Sequence, residues 1–162
     1  ALGGDGFLLH MLHQLLDQVA GAVKQGARLL MGGKRIDRPG WFVQTTILTD
    51  ILPGNTAYRD EFFGPMVSFY RVKDEAAAIT LANDCDFGLG GAVWTRNEAR
   101  GRKVASQLDT GMVFVNNLDW ADAELPFGGI KHSGYGRELG RLGIQEFVNK
   151  KLVRTVDRAA PV

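Results

Sequence analysis

The sequence predicts an α/β fold, with a mostly parallel sheet and flanking helices. Apolar residues recur at three- and four-residue steps near the N-terminus, which is typical of an amphipathic helix. Short runs rich in β-branched and aromatic residues follow, bounded by Gly or Pro. Between residues 66 and 116, strand-like and helix-like segments alternate, and this order favours parallel pairing with right-handed crossovers.

The first half of the chain is predicted to contain one long helix and three strands. The helix covers residues 7–26, where Leu12, Leu15 and Val19 are among the apolar residues that share one face. Gly26 suits its end, because glycine adopts the left-handed conformation of a helix terminus without strain. The predicted strands are residues 27–31, 41–48 and 66–72, with a loop over residues 50–60.

The second half is predicted to alternate strands and helices before a glycine-rich tail. Asp74 suits the N-cap of a helix over residues 75–83. Residues 112–116 are almost continuously apolar, which is typical of a strand buried on both faces. The other predicted elements are helices over residues 98–108 and 137–147 and strands over residues 88–95 and 151–156.

The composition excludes several functions. A formal net charge of +1 provides no field that would recruit nucleic acid or an anionic membrane. No apolar run approaches the roughly 20 residues that a membrane span requires. A single cysteine cannot form an internal disulfide, so we expect a reducing, cytoplasmic compartment. The chain begins at Ala1 in a glycine-rich stretch, and we expect it to be a piece of a longer polypeptide.

Residues that commonly carry catalysis or bind metals are sparse. The three histidines form no ligand set with nearby carboxylates or cysteine, so no metal site is expected. His10 and His13 have a helical spacing that two metal ligands can use, but partly exposed helix positions are the favoured interpretation. Cys85 is the only thiol, and its neighbours Asp84 and Asp86 disfavour a thiolate. We therefore interpret Cys85 as structural or incidental.

Two local runs leave a function open. Residues 61–65 (Glu-Phe-Phe-Gly-Pro) follow a loop and lead into a strand. A carboxylate there can accept two hydrogen bonds from a ribose diol and an aromatic can pack on a flat ring, although the residues alone favour a turn with core phenylalanines. Residues 124–138 are rich in glycine, but they lack the Gly-x-Gly-x-x-Gly spacing of a dinucleotide loop. Taken alone, they form a structured loop of unknown purpose.

Together and in order, five motifs resemble the C-terminal end of the aldehyde dehydrogenase superfamily. The resemblance runs from about residue 19 to residue 156, and its details look most like the bacterial succinate-semialdehyde dehydrogenases. The motifs are Glu-Phe-Phe-Gly-Pro at 61–65, Ala-Asn at 82–83 with Phe-Gly-Leu at 87–89, Asp-Thr-Gly at 109–111, Val-Asn at 115–116, and Pro-Phe-Gly-Gly-Ile-Lys-His-Ser-Gly-Tyr-Gly-Arg-Glu at 126–138.

The resemblance implies a reaction whose central residues lie elsewhere. In this family a cysteine thiolate attacks the aldehyde, a hydride passes to NAD or NADP, and a glutamate-activated water hydrolyses the resulting thioester. The attacking cysteine and the glutamate precede the motif at residues 61–65, and residues 1–84 contain no cysteine. The chain is therefore expected to be inactive alone. The alternative is a non-catalytic association or folding fragment.

The resemblance also assigns roles to particular residues. Glu61 is expected to bind the nicotinamide ribose hydroxyls, Phe63 to lie against the nicotinamide, and Leu89 to touch its ring. Phe127 and Trp120 are expected to line the channel of a small aldehyde substrate.

A domain division follows from the same resemblance. Residues 1–148 would be a partial catalytic domain, and residues 149–162 an oligomerisation strand and tail. The strand over residues 151–156 would add to the sheet of a second copy in a homo-oligomer.

Overall fold

The chain has the expected α/β fold, which is made of small sheets and helices. The computed structural model describes residues 4–118 and 121–156. Within it the chain divides into two compact units, Ala1–Glu75 and Ala76–Val162. The domain division at residue 148 stays a prediction.

The first unit combines one long helix with a three-stranded sheet. Strand β2 (Thr46–Thr49) lies in the middle, antiparallel to β1 (Arg28–Met31) and parallel to β3 (Met66–Phe69). The predicted strand over residues 41–48 is formed only at its end, because residues 34–44 fold back on themselves instead, with Gln44 donating its backbone N–H to the Lys34 carbonyl. The elements are α1 (Gly4–Lys24), β1 (Arg28–Met31), β2 (Thr46–Thr49), a 3-10 turn (Thr56–Tyr58) and β3 (Met66–Phe69).

Helix α1 supplies one side of the core of this unit. Its buried residues Leu12, Leu15, Val19 and Ala22 follow the three- and four-residue steps of one helical face. Gly26 ends the helix at φ +102°, and the backbone N–H of Ala27 reaches back to the Ala22 carbonyl. The core continues through Ala27, Leu48, Ile51 and Ala57, with Tyr58, Phe62, Met66 and Tyr70 packed against it.

The second unit is built from paired short strands and three helices. Strands β5 (Gly90–Val93) and β6 (Met112–Val115) are parallel, and helix α3 (Glu98–Ala105) connects them, which is the crossover that the sequence predicts. Asn97 caps α3 by accepting the backbone N–H of Arg100. The elements are α2 (Glu75–Asn83), β4 (Phe87–Gly88), β5 (Gly90–Val93), α3 (Glu98–Ala105), β6 (Met112–Val115), β7 (Ile130–Lys131) and α4 (Gly140–Gln145).

Three features of the second unit differ from the sequence predictions. The glycine-rich tail contains β7, which pairs antiparallel with β4, so parallel and antiparallel pairs occur side by side. Strand β6 is half-buried beyond Met112 rather than buried on both faces. Residues 151–156 form no strand, because no segment of the described chain pairs with them. Whether they pair with a second copy stays a prediction.

Candidate functional site

The loop over residues 61–65 packs against helix α1, and neighbouring side chains in this loop differ in burial. Phe62 packs against the core of the first unit, whereas Phe63 next to it is 72% exposed. Gly64 lies against Leu15, because a Cβ on Gly64 would stand 2.3 Å from the Leu15 Cδ2. The sequence left open a turn with core phenylalanines or a ligand-contacting aromatic. Phe62 packs against the core, and Phe63 has the exposed ring that contact with a ligand requires.

Glu61 and Phe63 border one cleft against helix α1. The cleft has a volume of about 160 Å³. Gln18, one of its lining residues, donates a hydrogen bond from Nε2 to the Glu61 carbonyl at 3.2 Å. Within residues 4–118 and 121–156 the Glu61 carboxylate has no hydrogen-bond or ion-pair partner, so it is available to accept from hydroxyls. The cleft is lined by Met11, Gln14, Leu15, Gln18, Glu61 and Phe63.

Leu89 and Phe127 line a second, larger cavity that lies within the second unit. Its volume is about 310 Å³. Leu89 lies between β4 and β5, and Phe127 begins the glycine-rich segment. The carboxylates of Glu138 and Glu146 and the hydroxyl of Ser133 belong to residues of the same wall. The cavity thus combines an apolar surface with a few polar groups, as small-molecule sites generally do.

Backbone hydrogen bonds fold the glycine-rich segment into a closed loop. Phe127 and Glu138 exchange both of their backbone N–H···O bonds at 2.7 Å. Arg137 Nη1 donates to the carbonyls of Gly129 at 2.9 Å and Gly136 at 2.6 Å. These contacts fix the backbone of Phe127 and of the residues that follow it.

The glycine-rich loop and the Asp-Thr-Gly motif meet at a backbone contact. A Cβ on Gly111 would stand 1.9 Å from the carbonyl oxygen of Gly128, which no side chain tolerates. The backbone N–H of Gly111 in turn donates to the Gly88 carbonyl at 2.9 Å. Three of the motifs that carried the family resemblance therefore touch one another, and glycine is required where they cross.

Asn83 joins the same motifs through its side-chain amide. Its Nδ2 donates to the Gln107 carbonyl at 2.8 Å, and its Oδ1 accepts the backbone N–H of Asp109 at 2.8 Å. The end of α2 is thereby tied to the turn that precedes β6.

The other residues that the sequence singled out lie apart from these two sites. Cys85 is exposed, and its Sγ accepts the backbone N–H of Phe87 at 3.5 Å. In the described part of the chain, no group of three or more His, Cys, Asp or Glu could hold a metal ion. None of the helices there is long and apolar enough to cross a membrane.

The structure places four of the five predicted site residues in two pairs. Glu61 and Phe63 share the cleft of the first unit, and Leu89 and Phe127 share the cavity of the second. Trp120 lies outside the described residues. Gln18 and Arg137 were missed, because their partners are backbone carbonyls that only the folded chain brings within reach.

The fold and these motifs define one class of protein. The chain belongs to the aldehyde dehydrogenase family, whose family model matches residues 10–153.

Curated relatives and solved structures narrow the similarity. The NADP⁺ succinate-semialdehyde dehydrogenase of Deinococcus radiodurans is 51% identical over 137 residues, which cover 85% of this chain and 29% of that enzyme. The crystal structure of the Streptococcus pyogenes succinic semialdehyde dehydrogenase with NADP⁺ is 44% identical, with a TM-score of 0.89 over 92% of this chain and 33% of that one.

An NAD⁺ complex in the same family is also similar. The Mycobacterium tuberculosis aldehyde dehydrogenase with NAD⁺ is 34% identical, with a TM-score of 0.85, and the match covers 94% of this chain and 32% of that one. The chain thus spans about a third of the length of each of these three relatives.

Proposed function

We propose that this chain is part of an NAD(P)-dependent aldehyde dehydrogenase that oxidises succinate semialdehyde to the acid. The observation that carries this proposal is the cleft that Glu61 and the exposed Phe63 ring share, where the Glu61 carboxylate has no partner among the described residues. The 51% identity to a succinate-semialdehyde dehydrogenase supports the substrate.

Glu61 and Phe63 would hold the nicotinamide end of the cofactor. A carboxylate can accept hydrogen bonds from both hydroxyls of a ribose, and such charge-assisted bonds are stronger than neutral ones. The Phe63 ring would pack against the nicotinamide side and fix its position. The cleft of about 160 Å³ has room for part of a dinucleotide only, so the rest of the cofactor would bind outside this unit.

Leu89, Phe127 and Trp120 would shape the aldehyde channel and the face of the nicotinamide. Leu89 would touch the nicotinamide ring, and Phe127 would line the channel from the fixed glycine-rich loop. Trp120 would set the width of the channel. An apolar wall of this kind excludes water and holds a short aldehyde in one orientation.

The chain's own part in the chemistry is therefore binding and orientation. The bound cofactor supplies hydride acceptance. The attacking thiolate and the general base would come from a segment that precedes the match in the family. Cys85 is unsuited to that role, because it is exposed, lies outside the lining of both sites and has aspartates on either side.

The C-terminal residues would join two copies in a homo-oligomer in the cytoplasm. Leu152, Val153 and Val156 are 89%, 77% and 56% exposed, so the segment presents apolar side chains that a partner could cover. Addition of residues 151–156 as a strand to a partner's sheet would cover them.

A second candidate is a non-catalytic association or folding fragment. It is favoured by the lack of a suitably placed thiol, and it concerns the 162-residue chain by itself. Purified chain mixed with NADP⁺ and succinate semialdehyde should give no increase in absorbance at the wavelength of NADPH. A rate that disappears in the Cys85→Ser variant would contradict both the fragment and the roles given above.

The enzyme proposal is tested by exchanging the segment. Residues 10–153 replace the matching segment of the Deinococcus radiodurans enzyme, and NADPH formation is followed. Glu61→Gln in this enzyme should raise the KM for NADP⁺ or slow hydride transfer by about tenfold or more, the size expected for a lost charge-assisted hydrogen bond. Asp17→Asn, an exposed carboxylate on α1 outside the cleft, is the matched control. Equal kinetics for Glu61→Gln and Asp17→Asn would remove the role of Glu61.

A further inference from the structure

Lys131, from a distant part of the chain, binds the backbone at the C-terminus of helix α2. Its Nζ donates to the carbonyl of Asn83, the last residue of α2, at 2.9 Å, and to the carbonyl of Cys85 at 3.0 Å. Carbonyls at a helix C-terminus lack intrahelical partners and carry the negative end of the helix dipole, so an ammonium is well suited to bind them. One side chain of the glycine-rich segment thereby binds two backbone carbonyls, one at the end of α2 and one in the turn that follows it.

The backbone of Lys131 is held in an uncommon conformation. Its φ is +56°, in the left-handed region where side chains other than those of Gly, Asn and Asp are uncommon. A lysine keeps such a conformation only when the surrounding structure fixes it. Here the pairing of Lys131 with Phe87 and the two contacts of its Nζ do so.

Lys131 lies close to both apolar walls of the larger cavity, through strand pairing on one side and along the chain on the other. Leu89 follows β4 directly, and β4 is paired with the strand that contains Lys131. Phe127 lies four residues before Lys131 on the same loop, and the backbone at Gly129 lies against the Cα of Leu89. Movement of Lys131 relative to α2 would therefore change the separation of Leu89 and Phe127.

We propose that Lys131 is a positioning residue for the aldehyde cavity, acting by clamping the glycine-rich loop to the end of α2. Its ammonium fixes β7 against the end of α2 and the turn that leads into β4, and this fixes the distance between the Leu89 and Phe127 walls. The inference rests on the proposed function insofar as the cavity receives the aldehyde. The clamp itself is a property of the chain alone and can be tested separately.

The clamp is tested first in the 162-residue chain by amide hydrogen exchange. Lys131→Met keeps the aliphatic stem and removes the donors, so the His132 amide, which donates to the Asp86 carbonyl at 3.0 Å, should exchange about fivefold faster or more. Lys131→Arg retains donors and should restore the rate to within about twofold. Lys103→Met, an exposed charge loss on α3, is the control.

The outcomes of the exchange experiment separate directly. Unchanged exchange in Lys131→Met, or an equal acceleration in Lys103→Met, would refute the clamp. If Lys131→Met fails to fold, Lys131→Arg decides: an exchange rate near that of the unsubstituted chain supports the clamp, and acceleration by more than about fivefold overturns it.

The positioning role is tested in the segment-exchanged enzyme by comparing the change in KM for succinate semialdehyde with the change in KM for NADP⁺. Lys131→Met should raise the KM for succinate semialdehyde about tenfold and that for NADP⁺ by less than about threefold, because misplacement of a cavity wall weakens the binding of the aldehyde that it holds. Equal effects on both KM values, or none, would overturn the role. Activity that is missing even with Lys131 present would instead refute the proposed function, while the exchange result would still decide on the clamp.

Discussion

The loop at residues 61–65 and the glycine-rich segment at residues 126–138 are held in place by different means. The first is fixed by side chains, since Phe62 enters a core and Gly64 rests on the Leu15 side chain. The second is fixed mainly by backbone contacts, since Gly111 meets the Gly128 carbonyl and Phe127 exchanges two backbone hydrogen bonds with Glu138. A side chain can move aside or repack, whereas a backbone contact cannot, so the two regions should respond differently to substitution.

The largest effect is expected where backbone meets backbone. Gly111→Ala should lower the free energy of unfolding by about 3 kcal/mol, because its Cβ would overlap the Gly128 carbonyl. Urea denaturation followed by circular dichroism measures the change. Gly134→Ala is the control: it has positive φ but nothing within 4 Å, and should cost only about 1 kcal/mol. Equal losses at the two positions would show that the main-chain contact is not what distinguishes the second region.

A smaller effect is expected in the side-chain-held loop, where neighbouring phenylalanines should differ. Phe62→Ala should destabilise by about 2 to 3 kcal/mol, because it removes part of the core. Phe63→Ala should change the free energy of unfolding by less than about 0.5 kcal/mol, because the side chain is exposed. The same urea titration compares the two variants. A loss of free energy of unfolding in Phe63→Ala as large as that in Phe62→Ala would mean that the Phe63 ring packs against the protein and is not available to a ligand.

The smallest effect should have the opposite sign. Gly21 lies within α1, and a Cβ there would meet nothing within 4 Å. Gly21→Ala should therefore raise the free energy of unfolding by about 0.5 to 1 kcal/mol, through helix propensity and a less flexible unfolded chain. The thermal midpoint measured by circular dichroism checks this. A decrease would mean that this face of α1 is packed more tightly than its surroundings indicate.

Elements with local causes could be predicted from the sequence. Helix α2 was predicted with its observed bounds, and α1 ends at Lys24, just before the predicted left-handed turn at Gly26. Both depend on residues close in sequence. Strand β7 could not be predicted, because residues 130–131 form a strand only through pairing with β4, more than 40 residues away.

The candidate site shows the same division. Glu61, Phe63, Leu89 and Phe127 came from the family resemblance, and the structure groups them into two pairs. The separation of Phe62 from Phe63 by burial needed the folded chain, since both are identical in sequence terms.

In the second unit, the side chains of Asn83 and Lys131 bind main-chain atoms, which every amino acid carries. Asn83 and Lys131 bind main-chain groups of positions 83, 85, 107 and 109, so they place no requirement on the side chains there beyond that of Asn83 itself. Saturation mutagenesis of this unit should therefore find positions 85 and 107 permissive while 83 and 131 accept few replacements. Variation among descendants of this chain can then accumulate beside the cavity without altering its width.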